Sequence, residues 1–111
     1  MKFLLSFLAL ATISSSAFAA TTVLECKGNT LNGNPRRIEI QANAITVIFD
    51  DQSVMSGETS SQNRGSPNTY FNVVGFDYGI PKALLNGRVK EAGVLISSYD
   101  YPYEEVSCTR Q

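Results

Sequence analysis

The chain contains no histidine. This absence excludes a histidine general base and an imidazole metal ligand, which most hydrolase and zinc sites use. The sequence also lacks a Gly-x-Ser-x-Gly motif and a glycine-rich phosphate loop. We therefore expect a protein that is not an enzyme and that holds neither a cofactor nor a metal.

The remaining catalytic patterns are unspecific. A Ser–Lys dyad could be drawn from Lys82 or Lys90, but with so many serines such a pair can always be drawn. The pairs Asp50–Asp51 and Glu104–Glu105 are adjacent in sequence, and neighbours on a strand face opposite sides, unlike the two facing acids of a glycosidase. Asp50–Asp51 also lacks the spaced acids of a calcium loop, whereas aspartate is common in turns.

Long hydrophobic runs are absent after the N-terminus. The run Phe3–Ile13 has 11 residues, and a spanning helix needs roughly 20. It follows Met1–Lys2 and precedes Ala17–Ala19, the small-x-small pattern that a signal peptidase reads. We predict a signal peptide at 1–19, a single β domain at 20–111, and no membrane insertion after cleavage. A buried N-terminal helix is the alternative, and the short positive start suggests a bacterium.

Neither sign of charge dominates. Without Lys2, eight lysines and arginines stand against ten aspartates and glutamates. A chain so close to neutral, with no basic stripe, is not expected to bind nucleic acid. Its slight acidity permits a basic partner without requiring one.

Cysteine is limited to Cys26 and Cys108, near the two ends of the predicted mature chain. Exported thiols tend to oxidise, so the pair predicts one disulfide and a periplasmic or secreted location. Two buried free thiols are the alternative. A charged residue, Glu25, precedes Cys26 and argues against a lipid-modified cysteine.

Helix signals are scarce, and short runs rich in threonine, valine, isoleucine and aromatic residues alternate with turn residues. We predict an all-β fold, a small antiparallel β-barrel or sandwich of seven or eight strands, with the disulfide joining the first and last strands. Ala44–Phe49 is apolar on both faces and should be central or covered on both sides. The predicted strands are 22–27, 36–41, 44–49, 53–57, 69–76, 88–90, 93–99 and 103–109.

Turn signals divide these strands. Asn32–Gly33 predicts a tight hairpin turn, and Gly79–Pro81 is expected to end the strand at 69–76. Pro81–Leu85 is either one helical turn or a strand leading to a second Asn-Gly hairpin. A further hairpin is expected between 88–90 and 93–99.

A segment rich in tyrosine and acid is the first candidate binding site. Counting back from Cys108, which must face its partner, a regular strand places Tyr101 and Tyr103 outward with Glu105. Outward tyrosines beside carboxylates could stack on a sugar or grip a basic protein. The alternative is a bulge at Pro102 that turns some tyrosines into the core. The candidate residues are Tyr99, Tyr101, Tyr103, Glu104 and Glu105.

The loop at 58–67, with Arg64 near its tip, is the second candidate binding site. It has no apolar residue except its closing proline, so it should be exposed. Binding modules often project one such loop from a rigid β scaffold. The alternative is a plain solvated connection.

The layout, a short exported β domain with a cysteine near each end, is similar to that of several small bacterial envelope families, periplasmic lysozyme inhibitors among them. No local motif assigns the chain to one of them. We predict an exported module that binds another protein or an envelope component. The alternatives are an inhibitor of a secreted or host enzyme such as a lysozyme, and a small-ligand carrier. A hollow barrel that carries a ligand is disfavoured, because one set of large apolar residues is expected to fill the interior as an ordinary packed core: Ile38, Ile40, Ile45, Val47 and Phe49.

Overall fold

The fold is a closed antiparallel barrel. A computed structural model describes residues 20–31, 33–60 and 66–111, without the side chains of Tyr101 and Pro102. Each strand pairs with its sequence neighbours, and the last returns to the first, so the all-β prediction is confirmed in its barrel form. The predicted signal peptide lies outside the described residues. In these residues the strands are β1 (Thr22–Lys27), β2 (Pro35–Gln41), β3 (Ala44–Phe49), β4 (Val54–Thr59), β5 (Asn68–Val73), β6 (Phe76–Pro81), β7 (Glu91–Ser98) and β8 (Tyr101–Arg110).

The barrel interior is filled by alternate residues of the strands. Leu24, Ile38 and Val94 are fully buried, as period-two alternation requires. The predicted core residues on β2 and β3 are all buried: Ile38, Ile40, Ile45, Val47 and Phe49. The outer face of β3 is less covered than its apolar pattern predicts, because Ala44 is exposed and Ile48 is only half-buried.

The predicted disulfide is confirmed. Cys26 on β1 lies directly opposite Cys108 on β8, with their Cα atoms 4.0 Å apart. Both cysteines are buried in the core. The bond therefore fastens the seam at which the barrel closes, between its first and last strands.

The prediction that Gly79–Pro81 ends the strand at 69–76 is wrong, because these residues belong to a further strand, β6, which itself ends at Pro81. The chain turns earlier, at Val74 and Gly75, whose φ angles of 50° and 88° make a tight turn between β5 and β6. Gly79 lies inside β6, opposite Tyr70, and a Cβ there would be 2.7 Å from the tyrosine ring. The ring covers the glycine, so the strand continues where composition suggested a break.

Of the two readings of Pro81–Leu85, the helical turn is confirmed as α1 (Lys82–Leu85). The predicted hairpin between 88–90 and 93–99 is wrong. The amides of Arg88 and Val89 donate to the carbonyl of Ala83, at 2.9 and 3.2 Å, and therefore extend the helical connection. The Arg110 guanidinium donates to the Leu84 and Leu85 carbonyls and ties α1 to β8.

The tight hairpin predicted at Asn32–Gly33 is also wrong, since β1 ends at Lys27 and β2 begins only at Pro35. Asn32 itself lies outside the described residues. The connection is held by side chains, because the Thr30 amide donates to Asn34 Oδ1 at 3.0 Å and Arg36 donates to the Gly28 carbonyl at 2.8 Å. Such contacts replace the strand pairing that a two-residue hairpin would have supplied.

No helix of the described chain is long and apolar enough to cross a membrane.

Candidate binding surface at the mouth of the barrel

The two ends of the barrel differ in shape and chemistry. We call one end the mouth, where the connections at 28–34, 50–53, 74–75 and 99–100 lie. The opposite end, the base, carries α1, the turn at 42–43, the connection between β4 and β5, the start of β1 and the end of β8. This arrangement follows from the simple up-and-down order of the strands.

Exposed apolar side chains are concentrated at the mouth. Tyr99 is 100% exposed and Leu31 is 77% exposed, both in mouth connections. Val89, on the base, is the exception among the large exposed hydrophobic residues of the described chain. A clustered apolar patch with a polar rim is typical of an interaction surface. The mouth group comprises Leu31, Val54, Met55, Val74, Tyr99 and Tyr103.

The tyrosine segment contributes to this surface. Between the pairs Ile96–Glu104 and Ser98–Tyr101, β8 has two residues where β7 has one. The predicted irregularity near Pro102 is therefore present. Tyr103 is nevertheless 66% exposed. The structure thus places Tyr99 and Tyr103 in solvent, whereas the side chain of Tyr101 lies outside the description. A binding role for the segment stays a prediction.

The two predicted carboxylates of this segment have different positions. Glu104 accepts a hydrogen bond from the Leu31 amide at 3.0 Å and so attaches the 28–34 connection to β8. Glu105 points outward from the wall, where its carboxylate lies over Gly93 on the neighbouring strand. Glu104 therefore positions Leu31, and Glu105 remains exposed on the side of the barrel.

The second predicted site, the loop that carries Arg64, lies outside the described residues at 61–65. The described chain leaves β4 at Thr59 and enters β5 at Asn68, and both of these residues are at the base. Sequence reasoning missed Leu31, Val54 and Val74, although an apolar residue in or beside a turn is a signal that could have indicated them.

The mouth is also acidic. Asp50 accepts a hydrogen bond from Asn34 at 3.0 Å, and Asp51 accepts from the Ser53 amide at 2.9 Å and from its hydroxyl at 2.6 Å. The Ser53 hydrogen bonds lower the pKa of Asp51, which keeps that turn anionic. In the described chain, the mouth acids are Asp50, Asp51, Asp77, Asp100 and Glu104, and the bases beside them are Lys27 and Arg36.

The base has the opposite balance, in which cations outnumber acids among the described residues. Its charged residues are Lys82, Arg88, Lys90, Arg110, Glu58 and Glu91. A molecule with such a separation of charge presents its acidic mouth to a cationic partner during approach.

Two cavities open beneath the mouth. One, of about 180 Å³, lies beside Asp50, Asp51 and Met55, and the other, of about 40 Å³, reaches down to Tyr78. Both are smaller than the ~300–1,000 Å³ of ordinary ligand pockets. They suit a single inserted side chain better than a free small molecule.

Tyr78 projects into the barrel beneath the mouth, and burial raises its pKa to about 12. Below pH 10 its hydroxyl is protonated in the folded and unfolded chains alike. Between pH 10 and about 12 the unfolded chain releases this proton and the folded barrel retains it, so we expect stability to fall as pH rises through this window.

An ultraviolet titration of tyrosinate should therefore show a late phase near pH 12. Tyr78→Phe should remove that phase and weaken the alkaline loss of stability. A late phase of unchanged amplitude in Tyr78→Phe would contradict the assignment.

The described residues contain no group of three or more histidine, cysteine, aspartate or glutamate side chains that could hold a metal ion. Comparisons with protein-family models, curated proteins and solved structures give no match for this chain.

Proposed function

We propose that the protein is an exported, non-enzymatic module that binds another protein through the mouth of its barrel. The proposal rests on the concentration of exposed apolar side chains at a single end, where they stand among carboxylates. Such residues lower solubility when they have no partner, and aromatic residues are favoured in the centre of protein interfaces. The predicted signal sequence and the disulfide support a periplasmic or secreted location.

The chemistry of the mouth favours a basic partner. Five carboxylates surround the apolar group, and the nearby Arg36 is engaged with the Gly28 carbonyl. Complementary charge speeds the encounter of two proteins and selects the partner, while the apolar centre supplies most of the affinity. A basic protein with an apolar patch therefore fits better than an acidic polymer.

Inhibition of a basic secreted or host enzyme, such as a lysozyme, is the second candidate function. The β7–β8 turn favours it, because Tyr99 is fully exposed there and the exposed Asp100 follows it. An exposed turn of this kind could enter an enzyme cleft, as binding loops on a rigid scaffold do. A carrier of small ligands is less well supported, since the strand side chains fill the barrel and the mouth cavities are small.

Replacing Tyr99 and Tyr103 together with serine should weaken binding by at least about tenfold, because each substitution removes an exposed aromatic contact. The oxidised protein, residues 20–111, is titrated with a lysozyme as the basic probe. Calorimetry measures binding, and residual lysozyme activity measures inhibition. Binding with loss of lysozyme activity supports the inhibitor function, whereas binding with full activity supports a module that binds without inhibiting.

Val89→Ser is the matched control, because it removes an exposed hydrophobic side chain from the base. It should bind like the wild type. Equal weakening by both variants would contradict a site at the mouth. If the lysozyme does not bind, the same variants are applied to proteins captured from envelope and culture-medium fractions.

A further inference from the structure

The strand β4 extends past its neighbour at the mouth. It pairs with β3 from Val54 to Glu58, but with β5 only at Glu58 and Thr59. Gly57 lies beside the end of β5, because an added Cβ there would meet the Asn72 carbonyl oxygen and the Val73 Cα. Pairing beyond Gly57 would need residues past Val73, where the chain turns away at Val74 and Gly75. The stretch Val54–Ser56 therefore has a strand on one side only in the described structure.

The alternation of hydrogen bonds shows which backbone groups face this open side. Phe49 donates to the Ser53 carbonyl at 2.9 Å, and Thr59 donates to the Asn43 carbonyl at 3.0 Å. In an antiparallel ladder every second residue bonds to the same neighbour, so residues 53, 55, 57 and 59 bond toward β3. The N–H and C=O groups of Val54 and Ser56 consequently point toward the open side.

The open edge is accessible and unprotected. Val54, Met55 and Ser56 are all exposed, and the stretch contains no lysine, proline or bulge of the kind that usually blocks edge pairing. β8 also extends past β1 at the mouth, but there the 28–34 connection covers it through the bond from the Leu31 amide to Glu104. The overhang of β4 has no comparable cover among the described residues.

We propose that this edge binds an extended, basic segment of the partner, which adds as a strand beside β4. The inference rests on the proposed function and states how part of the partner is held. Strand addition derives affinity from backbone hydrogen bonds and specificity from alternate side chains. Charge identifies the occupant, because Asp50 and Asp51 precede the edge, Glu58 follows it, and β4 itself carries no base.

A second copy of the same chain fits this edge less well. Two copies of β4 paired antiparallel about Met55 would place Glu58 of one copy opposite Gln52 of the other. Neither copy would then offer a cation to the carboxylates at the ends of the edge. Lysines or arginines at the ends of a foreign strand would instead meet these carboxylates.

In the test, the oxidised protein is titrated with the synthetic peptide Lys-Val-Thr-Val-Thr-Val-Lys, and NMR monitors the backbone amide signals of the protein. We expect the amide signals of Val54 and Ser56 to shift, whereas that of Val89 at the base does not. N-methylation of alternate peptide residues should weaken binding by about tenfold, because it removes edge hydrogen bonds. A version with glutamate at both ends should bind more weakly than the lysine version.

On the protein side, Ser56→Pro removes an edge N–H, and Ser56→Ala is the matched control that retains it. Folded Ser56→Pro should lose the peptide and Ser56→Ala should keep it. If Ser56→Pro does not fold, the comparison of the methylated with the unmethylated peptide alone tests the proposal.

Absence of peptide binding, equal binding of the methylated peptide, or equal binding of the glutamate version overturns the proposal. Self-association that depends on Ser56 overturns it in favour of a second copy. In each of these cases, the lysozyme or captured partner could still bind and still be weakened by the Tyr99 and Tyr103 substitutions. That result would leave the proposed function intact and remove only the inference about the edge.

Discussion

Replacing Cys26 and Cys108 together with alanine is expected to lower the free energy of unfolding by about 4 kcal/mol. The bond joins residues 82 positions apart, so its removal frees nearly the whole mature chain in the unfolded state. A domain of this size has a total stability of only about 5–14 kcal/mol. The variant should remain a barrel in the cold, held by the β1–β8 ladder, but melt roughly 20 °C lower.

Urea denaturation of the oxidised, reduced and double-alanine proteins provides the measurement. Each single alanine variant should lose almost as much stability as the double variant, because either one breaks the same bond. A loss below about 1 kcal/mol would contradict the loop-closure argument. It would mean that the chain ends already stay together in the unfolded state.

The sequence predicted the barrel well because the signals involved are local. The alternation in Thr22–Lys27 and Arg36–Gln41 is set by burial on one face, and both segments are strands within one residue of the predicted limits. The two cysteines then required the first and last strands to be neighbours. This condition selects closure over an open meander, whose first and last strands would be opposite edges.

The errors arose where tertiary contacts replace local propensity. Gly79 remains in a strand because the ring of Tyr70 covers it. Arg88 and Val89 continue from α1 because the Ala83 carbonyl accepts their amides. The candidate site was predicted only in part for a similar reason. Tyr99 and Tyr103 could be identified from composition. Leu31, Val54 and Val74 join them because the up-and-down strand order brings their turns to the same end of the barrel.

Gly57→Ala is expected to cost about 3 kcal/mol of stability, because the residue lies where β4 meets β5. A Cβ at Gly57 would be 1.9 Å from the carbonyl oxygen of Asn72 and 3.0 Å from the Cα of Val73. Both atoms belong to the backbone, so only movement of a strand can relieve the clash. In the described residues β4 pairs with β5 at Glu58 and Thr59, and the Ser60 amide adds one bond to the Tyr70 carbonyl. Movement of a strand should open this short seam.

Gly93→Ala is the matched control, because its Cβ would be even closer, 1.7 Å, to a neighbouring atom. That atom is a carboxylate oxygen of Glu105, an exposed side chain that can rotate into solvent. We therefore expect a change within about 0.5 kcal/mol for this variant. Urea denaturation compares the two, and equal losses would contradict the distinction between a backbone contact and a mobile side chain. Because the amides of Glu58 and Ser60 face β5, Gly57→Ala should also speed their exchange, while the β7–β8 pair remains protected.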